Sequence, residues 1–183
     1  SQNELVSILI PARNEYHNLR RCLNSLIKQD YANLEILVLD DQSTDQTSKL
    51  VKNYQQKDKR IHLLQGKDLP DNWIGKHWAC HQLSESANGS IILFIDADTA
   101  LDSSIVSKAV YTMINNNTDL ISLVPGRKAN CLIEKLMFPM IDWMTLCWLP
   151  IKLASSSKSP YLSASFGQFM LFKKEAYSTI GGH

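Results

Sequence analysis

The segment SIILFIDADT, from Ser90 to Thr99, combines two features that decide the fold class. A short run of Ile, Leu and Phe is typical of a strand that is buried in a sheet. Two carboxylates, Asp96 and Asp98, follow the run with a single alanine between them. Because ligands of open α/β sheets bind beyond the carboxyl ends of the strands, acids at this position predict a ligand site.

Strands and helices alternate on both sides of this segment. Apolar residues recur at helical spacing between most of the strands. This alternation predicts an α/β domain with a mainly parallel sheet flanked by helices. The other predicted strands are Leu5–Ile10, Leu34–Asp41, residues 61–65, residues 119–124 and Gln168–Lys174.

Polar residues near the helices predict where two of them begin and end. The helix after the second strand is expected to be capped by Ser43 or Thr44. Asp45 is expected in its first turn, where the helix dipole favours an acid, and Asp40 is expected to orient the preceding loop. The third helix is expected to end at Gly89.

The composition is that of a globular protein with balanced charge. The chain has 183 residues, of which 44% are hydrophobic, and this suits a single domain with a substantial core. The net charge of +1 gives no general attraction for nucleic acid or anionic lipid, so a charged ligand needs local groups. The four cysteines are widely spaced, which predicts reduced thiols in a cytoplasmic protein.

One segment, Leu132–Ala154, is unusually rich in Leu, Met, Trp and Phe. An aspartate near its middle and two prolines interrupt it, whereas a membrane-spanning helix needs about 20 largely apolar residues. Two interpretations stay open. The segment is either a helix buried in the core, or a helix that lies on a membrane or a partner with Trp143 and Trp148 at the interface.

The paired acids suit a divalent metal. Asp96 and Asp98 are two residues apart, so in an extended chain their carboxylates share a face. Two close carboxylates repel each other unless a cation joins them. Oxygen ligands suit Mg²⁺ or Mn²⁺, and Mg²⁺ is often held by one or two acids plus substrate phosphates. Capping and turn chemistry is the alternative, because Asp is a common turn residue.

Charged residues that follow the neighbouring strands extend the candidate metal site into a candidate nucleotide site. Asp41 can accept a charge-assisted hydrogen bond from the N–H group of a base. Arg13 and Lys76 offer cations that can balance a diphosphate, and for each of them a solvated surface role is the alternative. The polar segments PARNE, DDQSTD and DADT can therefore converge on one crevice.

Several motifs resemble the family 2 glycosyltransferases. The segments VSILIPARNE, ILVLDDQSTDQT, WIGKHWA and ANGSIILFIDADT match that family in its own order, and GQFMLFKKEAYSTIGG is similar to the segment before its acceptor site. GKHWAC and FIDADT look most like the branch that glycosylates carotenoid or hopanoid-type lipids. The resemblance implies the GT-A fold, a Rossmann-like sheet that binds nucleotide-diphospho-sugars.

The resemblance also implies roles for matching residues. Asp41 pairs with the base, and Lys76 stands near the base or the diphosphate. Asp96 reaches the ribose or the metal, and Asp98 is the principal metal ligand, so these two are the implied catalytic acids. The residues implied to line the nucleotide pocket are Pro11, Ala12, Arg13 and Glu15.

The implied reaction is an inverting transfer of a sugar from a nucleotide-diphosphate donor, typically UDP-linked, with Mn²⁺ or Mg²⁺ as the cofactor. The acceptor is a hydroxyl or carboxyl group of a lipid or a glycan. The metal stabilises the charge on the departing diphosphate, and a general base takes the proton of the acceptor.

The chain departs from the family near its end. The family's base is an Asp or Glu shortly after a Gly-Gly pair that matches Gly181 and Gly182, and the sequence stops at His183. We therefore expect one donor-binding domain over 1–183, cut from a longer protein, with a nucleotide-binding half at 1–128 and the start of an acceptor-side half at 129–183. Alone, it is expected to bind the donor without transferring the sugar. Glu175 could substitute as the base, with a solvated surface role as the alternative.

The longer protein is expected at the cytoplasmic face of the cell membrane. Three other functional classes are alternatives to the transferase. A noncatalytic nucleotide-sugar-binding or scaffold domain would carry the same donor motifs without the base. A phosphoacceptor receiver has its acidic pair after the first strand, where this chain has PARNE. A nucleotidyltransferase ordinarily has a Gly-rich basic loop at that position.

For a few other residues, a role in a binding site and a structural role both remain possible interpretations. The spacing of His77, Cys80 and His81 could suit a transition metal, although no second ligand cluster accompanies them. Gly167 could let a donor sugar approach the backbone, or serve as an ordinary glycine at the start of a strand. Two aromatic residues could stack on a sugar or a base, or fill the core: Phe166 and Trp73.

Overall fold

The computed structural model describes residues 4–124, 126, 131–148 and 166–182. Six strands lie in these ranges: β1 (Val6–Ala12), β2 (Leu34–Asp40), β3 (Ile61–Gln65), β4 (Ile91–Ile95), β5 (Leu120–Ser122) and β6 (Phe169–Lys173). The helices there are α1 (Tyr16–Ile27), α2 (Thr47–Lys57), α3 (Gly75–Ser86), α4 (Ile105–Asn115), α5 (Leu132–Trp148) and α6 (Lys174–Thr179).

The strands form one sheet in the order β3-β2-β1-β4-β6-β5. β3, β2, β1 and β4 are parallel to one another, whereas β6 is antiparallel to both β4 and β5. The predicted α/β class and the mainly parallel sheet are confirmed, with one reversed strand in the sheet. The carboxyl ends of β1, β2 and β4 therefore lie side by side at one edge.

Burial explains why these apolar runs become strands. All residues of β2 and β4 are buried, as are all but one of β1. Fully burying a Val, Leu or Ile side chain contributes about 1.5–3 kcal/mol relative to leaving it exposed. Helices cover the sheet through side chains such as Leu19, Leu23 and Leu83, which are fully buried. The core thus holds the strand ends in fixed positions.

The predicted start of α2 is wrong. The helix begins at Thr47, and neither Ser43 nor Thr44 caps it. Asp45 precedes the first turn, and its carboxylate accepts a hydrogen bond from the backbone N–H of Thr47 at 2.8 Å. Ser43 and Thr44 bond Asn14 across the crevice instead. A tertiary contact between two loops therefore overrides the local capping preference.

The predicted end of α3 is also wrong, because the helix ends at Ser86 rather than at Gly89. Gly89 is required by close packing: a Cβ atom there would stand 2.5 Å from the carbonyl oxygen of Leu5. The backbone N–H of Gly89 also donates to the hydroxyl of Ser7 at 2.7 Å. The glycine lets the chain that precedes β4 approach β1.

A buried carboxylate, Glu35, completes this contact. It accepts hydrogen bonds from the Ser7 hydroxyl and, at 2.6 Å, from the backbone N–H of Asn88. Burial alone would raise the pKa of Glu35, but the hydrogen bonds from Ser7, Asn88 and Gly89 outweigh it and hold the pKa below its ordinary value. Glu35 is therefore charged and fully engaged at neutral pH.

The structure divides into two compact units, Ser1–Ser122 with Gly167–His183, and Leu123–Phe166. The sheet belongs to the first unit, and α5 belongs to the second. Within the part of the chain that the structure describes, no helix has both the length and the apolar character to cross a bilayer.

Helix α5 continues through Pro139 and does not bury its apolar residues. None of its described side chains is buried, and Trp143 is 69% exposed. The side chain of Trp148 lies outside the described residues. This exposure favours the interpretation of a surface helix over that of a core helix. The exposed large apolar residues are Leu132, Ile133, Leu136, Met137, Met140, Ile141, Trp143 and Met144.

Candidate active site

A cavity of about 340 Å³ lies at the carboxyl ends of β1, β2 and β4. All eight site residues predicted from the sequence line it, and Gly75, Ala79 and Ala97 complete its wall. The predicted residues are Pro11, Ala12, Arg13, Glu15, Asp41, Lys76, Asp96 and Asp98. Their convergence on one crevice agrees with the sequence analysis, and the roles implied for them stay predictions.

Three strand ends and the start of one helix supply these residues. Each parallel strand turns from buried apolar sequence to polar sequence as it leaves the sheet, so the polar side chains gather at one edge. The sources are the end of β1 with the residues that follow it (Pro11–Arg13 and Glu15), the residue after β2 (Asp41), the first half of α3 (Gly75, Lys76 and Ala79) and the segment after β4 (Asp96–Asp98).

A turn, rather than an extended chain, brings Asp96 and Asp98 to the cavity. β4 ends at Ile95, and the backbone N–H of Thr99 donates to the carbonyl oxygen of Asp96 at 3.0 Å. The expectation that Asp96 and Asp98 lie in an extended chain is therefore wrong. Turn chemistry and a ligand site coexist here, because both carboxylates still line the cavity.

Asn14 joins the loops that follow β1 and β2, a role that was not predicted from the sequence. Its φ angle is 57°, in the left-handed region that asparagine tolerates better than most residues. Its side-chain oxygen accepts hydrogen bonds from the backbone N–H groups of Thr44 at 2.8 Å and Asp45 at 3.3 Å. We call these hydrogen bonds the Asn14 clamp. They fix the spacing between the two loops, which carry Arg13 and Asp41. The only signal in the sequence was an Asn among strand-end polar residues.

Asp45 reinforces the same clamp from the other loop. Its carboxylate accepts a hydrogen bond from the backbone N–H of Tyr16, the first residue of α1, at 3.2 Å. Hydrogen bonds from Thr47 and Tyr16 lower the pKa of Asp45, although partial desolvation opposes them. The carboxylate thus serves the first turns of two helices at once.

Asp40, in contrast, has a structural role. It is 3% exposed, and its carboxylate accepts hydrogen bonds from the Ser43 backbone N–H at 3.1 Å and from the Ser48 hydroxyl. The prediction that Asp40 orients the loop after β2 is confirmed. Its neighbour Asp41 is left to line the cavity.

Two ion pairs cross the cavity. The Arg13 guanidinium lies 3.7 Å from the carboxylate of Asp41, and the Lys76 ammonium lies 2.7 Å from that of Asp96. The lining includes four carboxylates against these two cations, because Glu15 and Asp98 add to the two paired acids. The cavity therefore carries an excess of negative charge.

That donor set fits a divalent metal that is shared with a ligand. In the described ranges, no group of three or more His, Cys, Asp or Glu side chains is arranged to hold a metal. Two carboxylates that line one cavity are the protein contribution found where a nucleotide's phosphates supply further oxygen ligands. Asp96 and Asp98 are thus the residues that would hold Mn²⁺ or Mg²⁺ together with a diphosphate.

The other predicted positions are distributed around this cavity. His77, Cys80 and Gly167 line a smaller neighbouring cavity of about 180 Å³. Burial raises the pKa of the Cys80 thiol to about 11, which disfavours its use as a thiolate. His81 stacks on Trp78, with ring centroids 5.5 Å apart, so it does not join His77 and Cys80 in one metal site.

The two candidate stacking residues have different positions. Trp73 is 39% exposed and packs against His81, with ring centroids 5.1 Å apart, so it neither fills the core nor lines the nucleotide cavity. Phe166 is partly buried, and its stacking role stays a prediction.

Glu175 cannot serve as a base for this cavity. It lies in α6 and lines a different cavity together with Ser90 and Ile91, at the amino end of β4. Asp96 and Asp98 follow the opposite end of the same strand. The surface interpretation of Glu175 is therefore the correct one.

Comparison with known proteins gives a family match. The model of the family described as glycosyl transferase family 2 matches residues 7–181. The chain is 28% identical over 180 residues to the 4,4'-diaponeurosporenoate glycosyltransferase of Staphylococcus haemolyticus (strain JCSC1435). That alignment covers 97% of this chain and 46% of the relative. The chain thus spans about half the length of the relatives it matches.

Solved structures with the same fold include a mannosyltransferase and a protein bound to a nucleotide sugar. The mannosyltransferase PcManGT of Pyrobaculum calidifontis, in complex with GDP-Man and Mn²⁺, aligns with a TM-score of 0.75 at 20% identity, over 98% of this chain and 47% of that protein. S. aureus TarS 1–349, in complex with UDP-GlcNAc, aligns with a TM-score of 0.64 at 22% identity, over 97% and 47%. The predicted GT-A fold and the family resemblance are both confirmed.

Proposed function

The chain belongs to glycosyl transferase family 2, and from that membership we propose that its sheet is the donor-binding domain of a metal-dependent glycosyltransferase. The proposed enzyme moves a sugar from a UDP-linked donor to a lipid acceptor with inversion at the anomeric carbon. The acceptor group is a hydroxyl or a carboxyl. A relative named for a diaponeurosporenoate acceptor supports a lipid rather than a glycan.

The charge balance of the cavity is the observation that carries this proposal. Four carboxylates and two cations line it, so a free diphosphate would meet a net negative surface. Asp96 and Asp98 would hold a divalent cation, which would neutralise their charge and supply positive charge for phosphate oxygens. The cavity is therefore suited to a metal–diphosphate and unsuited to the diphosphate alone.

Each side chain then has a distinct task. Asp41 stands at the β2 end of the cavity, with 18% of its side chain exposed, and accepts a hydrogen bond from the base. Arg13 and Lys76 neutralise phosphate oxygens. Asp96 and Asp98 hold the metal, which when bound supplies the positive charge that stabilises the departing diphosphate.

The exposed face of α5 supports membrane association of the full protein. Eight large apolar side chains lie exposed on one helix, which is the pattern of a helix that rests in a lipid interface. The enzyme would then meet a lipid acceptor at the cytoplasmic face of the membrane. Because the net charge is only +1, this attachment depends on apolar burial rather than on attraction to anionic lipid.

Calorimetric titration with UDP tests the proposal. We expect binding in Mn²⁺, loss of binding in chelator, and loss in Asp98→Asn. The exposed acid Asp30 precedes β2, at the other edge of the sheet, so Asp30→Asn is a matched control that keeps the affinity. Thermal unfolding should be unchanged in both variants, because exposed acids contribute little to the core.

Two results of these titrations would count against the proposed function. Binding of GDP without binding of UDP would replace the proposed nucleotide. No binding of either nucleotide with Mn²⁺ would overturn the assignment of this cavity as a donor site.

A further inference from the structure

Helix α1 contacts the segment that follows Asp98, although the two are far apart in the sequence. The guanidinium of Arg21 donates a hydrogen bond to the backbone carbonyl oxygen of Asp98 at 3.5 Å. The Ser25 hydroxyl accepts one from the backbone N–H of Leu101 at 3.0 Å. Arg21 and Ser25 are four residues apart in α1, so their side chains share one face of the helix. That face therefore lies against the chain that leaves Asp98.

Gln29, two residues beyond the end of α1, holds the next part of this segment. Its side-chain amide donates to the carbonyl oxygen of Asp102 at 2.8 Å and to that of Ser25 at 3.2 Å. Its side-chain oxygen accepts a hydrogen bond from the backbone N–H of Val106 at 3.4 Å. The amide group thus uses both of its donors and its oxygen. It joins the last turn of α1 to the chain on both sides of the start of α4.

Burial makes these hydrogen bonds difficult to break. Gln29 is 7% exposed, and a buried amide that loses its partners is not compensated by water. The segment therefore cannot move away from α1 without leaving polar groups unpaired. Because Asp98 precedes Leu101 by three residues and Asp102 by four, the position of its backbone is restricted by the same contacts.

The amino end of α1 is attached to a different part of the cavity wall. The backbone N–H of Tyr16 donates to the carboxylate of Asp45, in the loop that begins with Asp41 after β2. Helix α1 thus connects the loop that carries Asp41 with the segment that carries Asp98. A helix is a rigid spacer, so these two acids are held at a fixed separation.

We propose that Ser25 and Gln29 are positioning residues of the metal site: they hold the backbone that follows Asp98 against α1 and so keep its carboxylate directed into the nucleotide cavity. This inference rests on the proposed function, because it needs a divalent metal at Asp98. Neither Ser25 nor Gln29 is among the described residues that line the cavity, so both act through the backbone of Asp98. Groups that orient a metal ligand from outside typically contribute about 10–100-fold to metal affinity.

The quantity to measure is the Mn²⁺ concentration that gives half of the maximal UDP binding, from calorimetric titrations of UDP at a series of Mn²⁺ concentrations. Ser25→Ala removes the hydroxyl and keeps a good helix residue, and it should raise this concentration several-fold. Gln29→Met keeps the length of the side chain and removes its hydrogen bonds, and it should raise the concentration about tenfold. Ser25→Thr retains the hydroxyl and should stay close to the unmodified protein.

Asn24→Ala is the matched control. Asn24 is the neighbour of Ser25 in α1, but its side-chain oxygen accepts a hydrogen bond from the hydroxyl of Tyr54 in α2, at 2.8 Å. Asn24→Ala should lower the melting temperature to a similar extent as Ser25→Ala and leave the Mn²⁺ requirement unchanged. A general loosening of α1 would change the Mn²⁺ requirement of both variants alike, whereas a positioning role changes that of Ser25→Ala alone.

An unchanged Mn²⁺ requirement in Ser25→Ala would overturn the inference, whether or not Gln29→Met folds. An equal rise in Asn24→Ala, or a rise in Ser25→Thr as large as that in Ser25→Ala, would overturn it too. Failure of the unmodified protein to bind UDP in Mn²⁺ would instead overturn the proposed function, and this inference with it.

Discussion

The ammonium group of Lys76 lies 2.7 Å from a carboxylate oxygen of Asp96, so a cation proposed to bind the diphosphate is paired with an acid proposed to bind the metal. Both side chains are partly exposed, and such pairs contribute about 1 kcal/mol or less. Ligand binding can therefore exchange the partners. On the proposed function, Asp96 would hold the metal once it is bound, and Lys76 would turn to a phosphate oxygen.

Lys76→Met tests this exchange. We expect it to weaken UDP binding in Mn²⁺ about tenfold, because a charge-assisted hydrogen bond to phosphate is lost. Binding of Mn²⁺ alone should stay equal or become tighter, since Asp96 no longer has a competing cation. Calorimetry measures both affinities, and Lys52→Met, at an exposed lysine of α2, is the control. An unchanged affinity for UDP would show that Lys76 does not reach the phosphates.

Asn14→Gly tests the clamp between the two loops. Glycine adopts the positive φ angle freely, so the change removes the side-chain hydrogen bonds without straining the backbone. We expect the free energy of unfolding to fall by about 1–2 kcal/mol and the affinity for UDP to fall several-fold. Asn117→Gly, at another asparagine with positive φ, is a matched control that keeps the UDP affinity. Chemical denaturation and calorimetry distinguish the two, and an Asn14 variant that binds UDP normally would contradict the clamp.

Gly89→Ala should be strongly destabilising. The added methyl group would stand 2.5 Å from the Leu5 carbonyl oxygen and 2.8 Å from the Ser7 backbone nitrogen, so the backbone has to move. Overpacking of this kind costs about 1–3 kcal/mol, measurable by chemical denaturation. Gly167→Ala makes the same chemical change at a position where no described residue lies within 4 Å of the added atom, and it should be neutral. Equal stability of both variants would refute the close approach at Gly89.

Glu35 should make the fold sensitive to acid. Its pKa in the folded state lies below the ordinary value of 4.5, so its stabilising contribution is present above that value. The contribution is lost as the pH falls from about 4.5 through the lowered pKa. Glu35→Gln should lower the free energy of unfolding at pH 7 by about 2 kcal/mol and flatten its dependence on pH below 4.5. Denaturation curves at several pH values measure this, with the exposed Glu85→Gln as the control. An unaltered pH profile in Glu35→Gln would contradict this role of Glu35.

The face of α5 should bind lipid through its apolar side chains. Leu136→Gln combined with Met140→Gln removes two residues that are 65% and 68% exposed, one turn apart. We expect this variant to co-sediment several-fold less with phosphatidylcholine vesicles, and we expect salt to have little effect. Tyr111→Gln, at an exposed residue of α4, is the control. Equal sedimentation of the α5 variant and the unmodified protein would exclude this helix as the attachment surface.

The mainly parallel sheet and the site lining were predictable for the same physical reason. A buried parallel strand is a continuous apolar run, and its end is marked by polar residues, as at Asp40–Asp41 and Asp96. Because parallel strands deliver such ends to one edge, the lining of the larger cavity followed from the motifs without coordinates.

The clamp and the smaller cavity were not predictable, because each depends on contacts between distant segments. Asn14 bonds residues 30 positions later, and its φ angle has no signature beyond residue type. The smaller cavity exists because β6 brings Gly167 and Met170 beside the start of α3. The role predicted for Gly89 was wrong for a related reason. In a sequence, a glycine that ends a helix cannot be distinguished from one that lets a neighbouring backbone approach.

The antiparallel strand β6 lies inside the sheet, between β4 and β5, although it is the last of the described strands in sequence. During synthesis, β4 and β5 are complete long before Phe169–Lys173 leaves the ribosome, and until then both keep unpaired edges. Pairing of β4 with β6 joins residues as far apart in the sequence as Ile91 and Lys173, which makes this pairing a slow step. A nascent chain that stalls before residue 169 would therefore expose the edge of β4, whose run IILFI is a ready site for aggregation.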